Sequence, residues 1–178
     1  MTVQTQEATL RHMRGEVYSV NFANGWFDDE RTFDDDIALN HSEVSEMFEA
    51  YRSWGLGDAT TSGGDFDRLP KPEGFGSECA DVLIRLLDMS LRRKIEFSWA
   101  TLTEIIDSQD YDPWLGIGSH IAKLHKLISC ITPETSLDPT LSYLVTLCRH
   151  QGINLRSEYE RKIAYNRTRG YRHGGKRI

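Results

Sequence analysis

Asp35-Asp36-Ile37-Ala38-Leu39-Asn40-His41-Ser42-Glu43-Val44-Ser45-Glu46-Met47-Phe48-Glu49-Ala50-Tyr51-Arg52-Ser53-Trp54 decides how this chain is read. Ile37, Val44, Met47, Phe48 and Tyr51 recur at helical spacing and form one apolar stripe. Gly55-Leu56-Gly57-Asp58 ends the predicted helix. Glu43 and Glu46 stand i, i+3, so both carboxylates share one helix face. The stretch Glu78-Cys79-Ala80-Asp81-Val82-Leu83-Ile84-Arg85-Leu86-Leu87 repeats the device with Glu78 and Asp81. Two such helices set antiparallel would bring four carboxylates together. Four anions repel one another unless a cation lies between them. Oxygen donors suit a hard divalent ion such as Mg²⁺, which pairs naturally with phosphates.

Working outward, residues 5–15 read as polar and helical, and Val20 to Phe27 as an aromatic stretch broken by Asn24-Gly25. Residues 57–76 are rich in Gly, Ser, Thr, Asp and Pro and read as a loop. A second helix is predicted from Ser77, a good N-cap, to Arg93, with Glu78, Asp81, Arg85 and Asp88 on one face. Leu102 to Gln109 reads as a short helix. Further helices are predicted over 117–130, 141–150 and 156–166. No stretch alternates with period two long enough to promise a strand. The predicted class is all-α, as one domain over 1–178.

The pattern repeats once. Ile37-Ala38-Leu39-Asn40-His41 matches Ile121-Ala122-Lys123-Leu124-His125, and Leu87–Phe97 matches Val145–Leu155. In this register Glu43 and Glu46 fall on Leu127 and Cys130, and Glu78 and Asp81 on Ser136 and Pro139. The second hairpin keeps the packing pattern and loses every carboxylate. Two such hairpins can bury their apolar faces on each other as a four-helix bundle. His41 and His125 occupy matching positions and read as bundle packing.

The chain has 178 residues and a net charge of −6, with 39 % hydrophobic and 27 % charged residues. That balance argues against a general nucleic-acid binder. The charge is uneven. Residues 28–36 are acidic, whereas Arg161, Lys162, Arg167, Arg169, Arg172, Lys176 and Arg177 make the end basic. An acidic metal site and a basic tail can serve one polyphosphate. Cys79, Cys130 and Cys148 lack metal or disulfide spacing, so reduced thiols are expected. The first residues carry no apolar run, and no run reaches membrane-spanning length, so a cytoplasmic protein without a membrane partner is expected.

Three stretches together resemble the MazG-like members of the all-α nucleoside triphosphate pyrophosphohydrolases, relatives of the dimeric dUTPases. They are Ile37–Arg52, Lys71–Arg85 and Lys162-Ile163-Ala164-Tyr165-Asn166-Arg167-Thr168-Arg169-Gly170-Tyr171-Arg172 with His173 to Lys176. The likeness covers 20–97 and 156–176 well and 98–155 poorly. The gap between the carboxylate pairs is longer than is usual in that family. The resemblance implies a catalytic hairpin over 17–97, a degenerate hairpin over 98–155 and a phosphate-binding helix with a basic tail over 156–178. It implies an intrachain pseudo-dimer with one active site, within a homo-oligomer.

The activity it implies is Mg²⁺-dependent cleavage of a (deoxy)nucleoside triphosphate between the α and β phosphates, with Mn²⁺ as a substitute ion. Glu43, Glu46, Glu78 and Asp81 would hold one to three ions, with Glu46 assigned as general base. Lys162, Asn166, Arg167, Arg169 and Lys71 are the candidate phosphate contacts, because arginine forks and lysines suit phosphate oxygens. Asn21, Trp26 and Phe27 are candidates for the base, where an amide reads an edge and a ring stacks. A weakly catalytic nucleotide or alarmone sensor on the same fold is the alternative. A four-helix di-iron protein would need Glu-x-x-His motifs, and none occurs.

Overall fold

A computed structural model describes residues 9–60 and 69–175. They are mostly helical, with one short ribbon. Helix α1 spans Leu10–Ala23, and the Thr9 side chain caps it by accepting from the His12 amide at 3.1 Å. Leu10, Met13, Val17 and Val20 are buried at helical spacing. Helix α2 spans Phe33–Trp54 and begins with a capping box in which Thr32 and Asp35 satisfy each other's backbone amides. Asp34, Asp35 and Asp36 favour the positive end of its dipole. Its buried face carries Val44, Met47 and Ala50, and also Asp36, Asn40 and Glu43. Polar groups on a buried face mark where the helix meets a site or a charged partner.

Strands β1 (Asp58–Thr60) and β2 (Pro72–Gly74) pair antiparallel, with Asp58 opposite Gly74. The loop expected over 57–76 therefore includes a ribbon. Three-residue strands are too short to leave an alternation in the sequence. The part of that loop at 61–68 lies outside the described residues, as do the beginning of the helix expected from residue 5 and the tail residues Lys176 and Arg177.

Helix α3 (Phe75–Arg93) starts two residues before the predicted Ser77. Gly74 takes the cap position at φ 106°, and the Ser77 hydroxyl donates to the Pro72 carbonyl at 2.9 Å instead of capping. Fourteen of its residues are buried, because α1, α2, the ribbon and two later helices all pack on it. Helices α4 (Ile117–Ser129), α5 (Asp138–His150) and α6 (Leu155–Thr168) follow, and α7 (Arg172–Gly175) is a single turn. Pro139 sits in the first turn of α5, where no amide is needed, so that helix starts earlier than Leu141.

The predicted helix over 102–109 is absent. The Arg149 guanidinium takes the carbonyls of Leu102, Thr103 and Ile105, and Ser142 takes that of Ile106 at 2.6 Å. Those side chains hold the segment in a course where its carbonyls do not accept from amides four residues on.

Helices α2, α3, α5 and α4 touch in a ring, with α1 and α6 against α3. Local contacts recur in the two halves. Ser45 donates to the His41 carbonyl at 2.9 Å, and Ser129, 84 positions later, donates to that of His125 at 2.9 Å. The Ile95 amide donates to the Ser90 carbonyl at 2.9 Å, and that of Ile153, 58 positions later, donates to the Cys148 carbonyl at 2.8 Å. Lys94 and Gly152, also 58 apart, are both left-handed at φ 57° and 71°. His41 and His125 face each other, with Nδ1 atoms 2.8 Å apart and rings stacked at 5.0 Å.

Candidate functional site

A cavity of about 330 Å³ opens among α1, α2, α3 and α6 and the turns that follow α1 and α6. Glu43 and Glu46 enter it from α2, and Glu78 and Asp81 from α3. Carboxylate oxygens of Glu43, Glu46 and Glu78 lie within 4.8 Å of one another. Glu43 and Glu78 are largely buried, whereas Glu46 is open to solvent and meets the Ser42 hydroxyl at 3.5 Å.

Burial dominates the two buried acids. It pushes the Glu78 carboxyl up to about 7, against the pull of Lys162 and with help from Asp81, Glu46 and Glu43. Burial also raises Glu43, opposed chiefly by Arg85, whose Nε lies 2.8 Å from Glu43 Oε1. Glu78 Oε2 is buried with no hydrogen-bond partner. A buried carboxylate oxygen without a donor is costly unless a cation or proton meets it. Glu43, Glu46 and Glu78 are therefore the residues here that could hold a cation, with the unpartnered Glu78 oxygen among the donors.

The fourth carboxylate is engaged elsewhere. Asp81 Oδ2 lies 2.6 Å from Lys162 Nζ. That ammonium is 3 % exposed and also donates to Ser77 Oγ at 2.9 Å and the Pro72 carbonyl at 3.3 Å. Glu78 Oε1 stands further off, at 3.5 Å. An ammonium has three N–H bonds, and the three nearer partners account for all of them. Burial opposes the charge on Lys162, but Asp81 and Glu78 outweigh it and raise its pKa. In this arrangement Lys162 ties α6 to the start of α3 and neutralises Asp81, and it offers no free hydrogen to a phosphate.

The other expected phosphate contacts divide. Asn166, Arg169 and Lys71 line the cavity. The Asn166 Oδ1 is buried without a partner. Arg169 makes no ion pair among the described residues, and burial lowers its pKa. Lys71 pairs with Glu73 at 2.9 Å. Arg167 points elsewhere, with its guanidinium 2.7 Å from Glu16 on α1. Lys162 and Asn166 share one face of α6 at i, i+4. Arg167 is one position further on, which turns it about 100° round the helix and away from that face.

The expected base contacts divide too. Asn21 and Trp26 line the cavity. Phe27 does not, because the Arg92 guanidinium lies 3.7 Å over its ring and Tyr18 packs edge-on at 5.0 Å. Sequence reasoning missed Arg85, Tyr165 and His173 as lining residues. Arg85 was findable, since it follows Glu78 and Asp81 at i+7 and i+4 on one face of α3. His173 lies in the third family-like stretch, but nothing in its spacing pointed to the cavity. It reaches the cavity because the chain after α6 folds back over the 24–29 turn.

The basic end and the acidic segment meet there. The Tyr171 hydroxyl donates to Asp28 at 2.7 Å, and Arg172 pairs with Asp29 at 2.5 Å. The Arg172 amide donates to the Asn24 carbonyl at 2.8 Å. Gly25, at φ 75°, lets Tyr171 lie where a Cβ would be only 2.1 Å from the ring. His173 then meets Trp26 edge-on at 5.0 Å.

No helix among the described residues is long and apolar enough to cross a membrane. No family model, curated protein or solved structure matches the chain.

Proposed function

We propose that this chain hydrolyses (deoxy)nucleoside triphosphates to monophosphate and pyrophosphate with Mg²⁺, as a MazG-like pyrophosphohydrolase for nucleotide-pool control. The observation that carries the reading is the convergence of Glu43, Glu46 and Glu78, with the unpartnered Glu78 Oε2, in a cavity that Arg169 and Asn166 also line. Glu43, Glu46 and Glu78 would hold the ion, with Mn²⁺ as substitute. When bound, it supplies neutralisation of phosphate charge and a more acidic water.

The chain's own residues do the rest. Arg169 and Asn166 bind phosphate oxygens, and Arg85 fixes Glu43 through its ion pair. Glu46, the cluster's solvent-open carboxylate, accepts the proton of the attacking water. Lys162 holds Asp81 as a positioning pair. Trp26 gives a nucleobase a flat wall.

The recurring contacts 84 and 58 positions apart, and the facing His41 and His125, support the finer reading of the fold. In that reading the four-helix core is an intrachain pseudo-dimer whose second hairpin, within 98–155, has lost its carboxylates. The test is product analysis with a panel of ribo- and deoxynucleoside triphosphates and Mg²⁺. Pyrophosphate and monophosphate are expected. Nucleotide binding without turnover would favour a sensor, and orthophosphate release would contradict α–β cleavage.

A further inference from the structure

A charged cluster stands behind the aromatic end of the cavity and has no role in the phosphate chemistry. Its centre is Asp88, two turns after Asp81 on the same face of α3 and 2 % exposed. Asp88 Oδ2 accepts from Arg31 at 2.6 Å and from Arg92 Nε at 3.0 Å. Its Oδ1 accepts from Asn21 Nδ2 at 3.0 Å. Burial opposes its charge, but Arg31 and Arg92 prevail and keep its pKa below the ordinary carboxylate value.

An ionised carboxylate only accepts hydrogen bonds. Asn21 must therefore turn its amide nitrogen toward Asp88, since the flipped amide would set two acceptors against each other. Its carbonyl oxygen is left on the side away from Asp88, in a residue that lines the cavity. Arg92 also donates to the Trp26 main-chain carbonyl at 2.8 Å, so the same carboxylate holds the Asn21 amide directly and anchors the Trp26 backbone through Arg92.

We propose that Asp88 sets ligand specificity by fixing Asn21 as a hydrogen-bond acceptor, so that the cavity selects nucleoside triphosphates presenting an N–H or O–H donor there. This rests on the triphosphate reading above. The donor comes from a nucleobase amino or imino group or from a sugar hydroxyl. A site built around an acceptor rejects an analogue without the donor, because the acceptor is then left unpaired.

The experiment is calorimetric binding of α,β-methylene triphosphates with Mg²⁺, in pairs that differ by one donor. The pairs are adenosine and purine riboside, guanosine and inosine, uridine and N3-methyluridine, and each ribonucleotide with its 2′-deoxy form. In the wild type, at least one donor-bearing member should bind about fivefold or more tightly than its partner. A base pair giving that ratio assigns the donor to the base, and a ribo–deoxy pair assigns it to the sugar. Asn21→Leu and Asp88→Asn should both reduce the ratio below about twofold. Asn21→Leu leaves the ion pairs of Asp88 with Arg31 and Arg92 intact, so it tests the acceptor at Asn21 even should Asp88→Asn fail to fold. A wild type in which no pair reaches that ratio, or a ratio that persists in Asn21→Leu or in a folded Asp88→Asn, overturns the proposal. Failure of every analogue to bind sinks the triphosphate reading itself.

Discussion

Replacing Glu78 with Gln should remove metal binding and stabilise the metal-free protein. Burial holds the folded carboxyl at about 7, against an ordinary value of 4.5. A raised folded pKa gives stability that is present below 4.5 and lost as pH rises through 7. At about pH 8 the carboxylate is ionised in both states, and keeping it buried costs about 3 kcal/mol. At about pH 5 the folded group is protonated, and the cost is about 1 kcal/mol. The neutral isostere escapes most of this, and the three hydrogen bonds of Lys162 do not involve Glu78. Glu78→Gln should therefore raise the melting temperature by roughly 6–12 °C at pH 8 and by about a third of that at pH 5. Thermal unfolding in metal-free buffer at both pH values reads the difference. A variant less stable than wild type at the higher pH, or a gain that does not grow with pH, would refute the reasoning.

The same group makes Mg²⁺ stabilisation pH-dependent: affinity should fall about tenfold between about pH 8 and pH 6 as Glu78 takes up a proton, read as a smaller Mg²⁺-induced melting shift. Lys162→Met strips Asp81 and Glu78 of their buried partner and should cost about 3–5 kcal/mol in urea unfolding at about pH 8; an unchanged midpoint would show that the pair is not built. Gly25→Ala forces a Cβ into Tyr171 at a left-handed φ, with a cost of about 1–3 kcal/mol. Trypsin should then cut faster after Arg169 and Arg172, and unchanged cleavage would contradict the docked tail.

The helices were legible where an apolar stripe of sufficient length ran between caps, as in α2 and α3. The 102–109 segment was not, because its backbone carbonyls are claimed by Arg149 and Ser142, which are 36 to 47 positions distant. The carboxylate cluster was legible from spacing on single helices. How it is shared was not: which of four acids meets Lys162 depends on the approach of α6. The acidic 28–36 segment and the basic end were legible as opposite charges but not as partners, yet Asp28 and Asp29 are what Tyr171 and Arg172 bind. Pairings across so many residues leave no local pattern.

The central claim is that Glu43, Glu46 and Glu78 form a metal site that serves a triphosphate. Titration of Mn²⁺ at about pH 8, where Glu78 is ionised, tests it most directly when followed by the electron paramagnetic resonance signal of the free ion. The wild type should deplete that signal, and Glu78→Gln should leave it intact while remaining folded. A wild type that leaves the signal unchanged, or a variant that depletes it equally, would contradict the account.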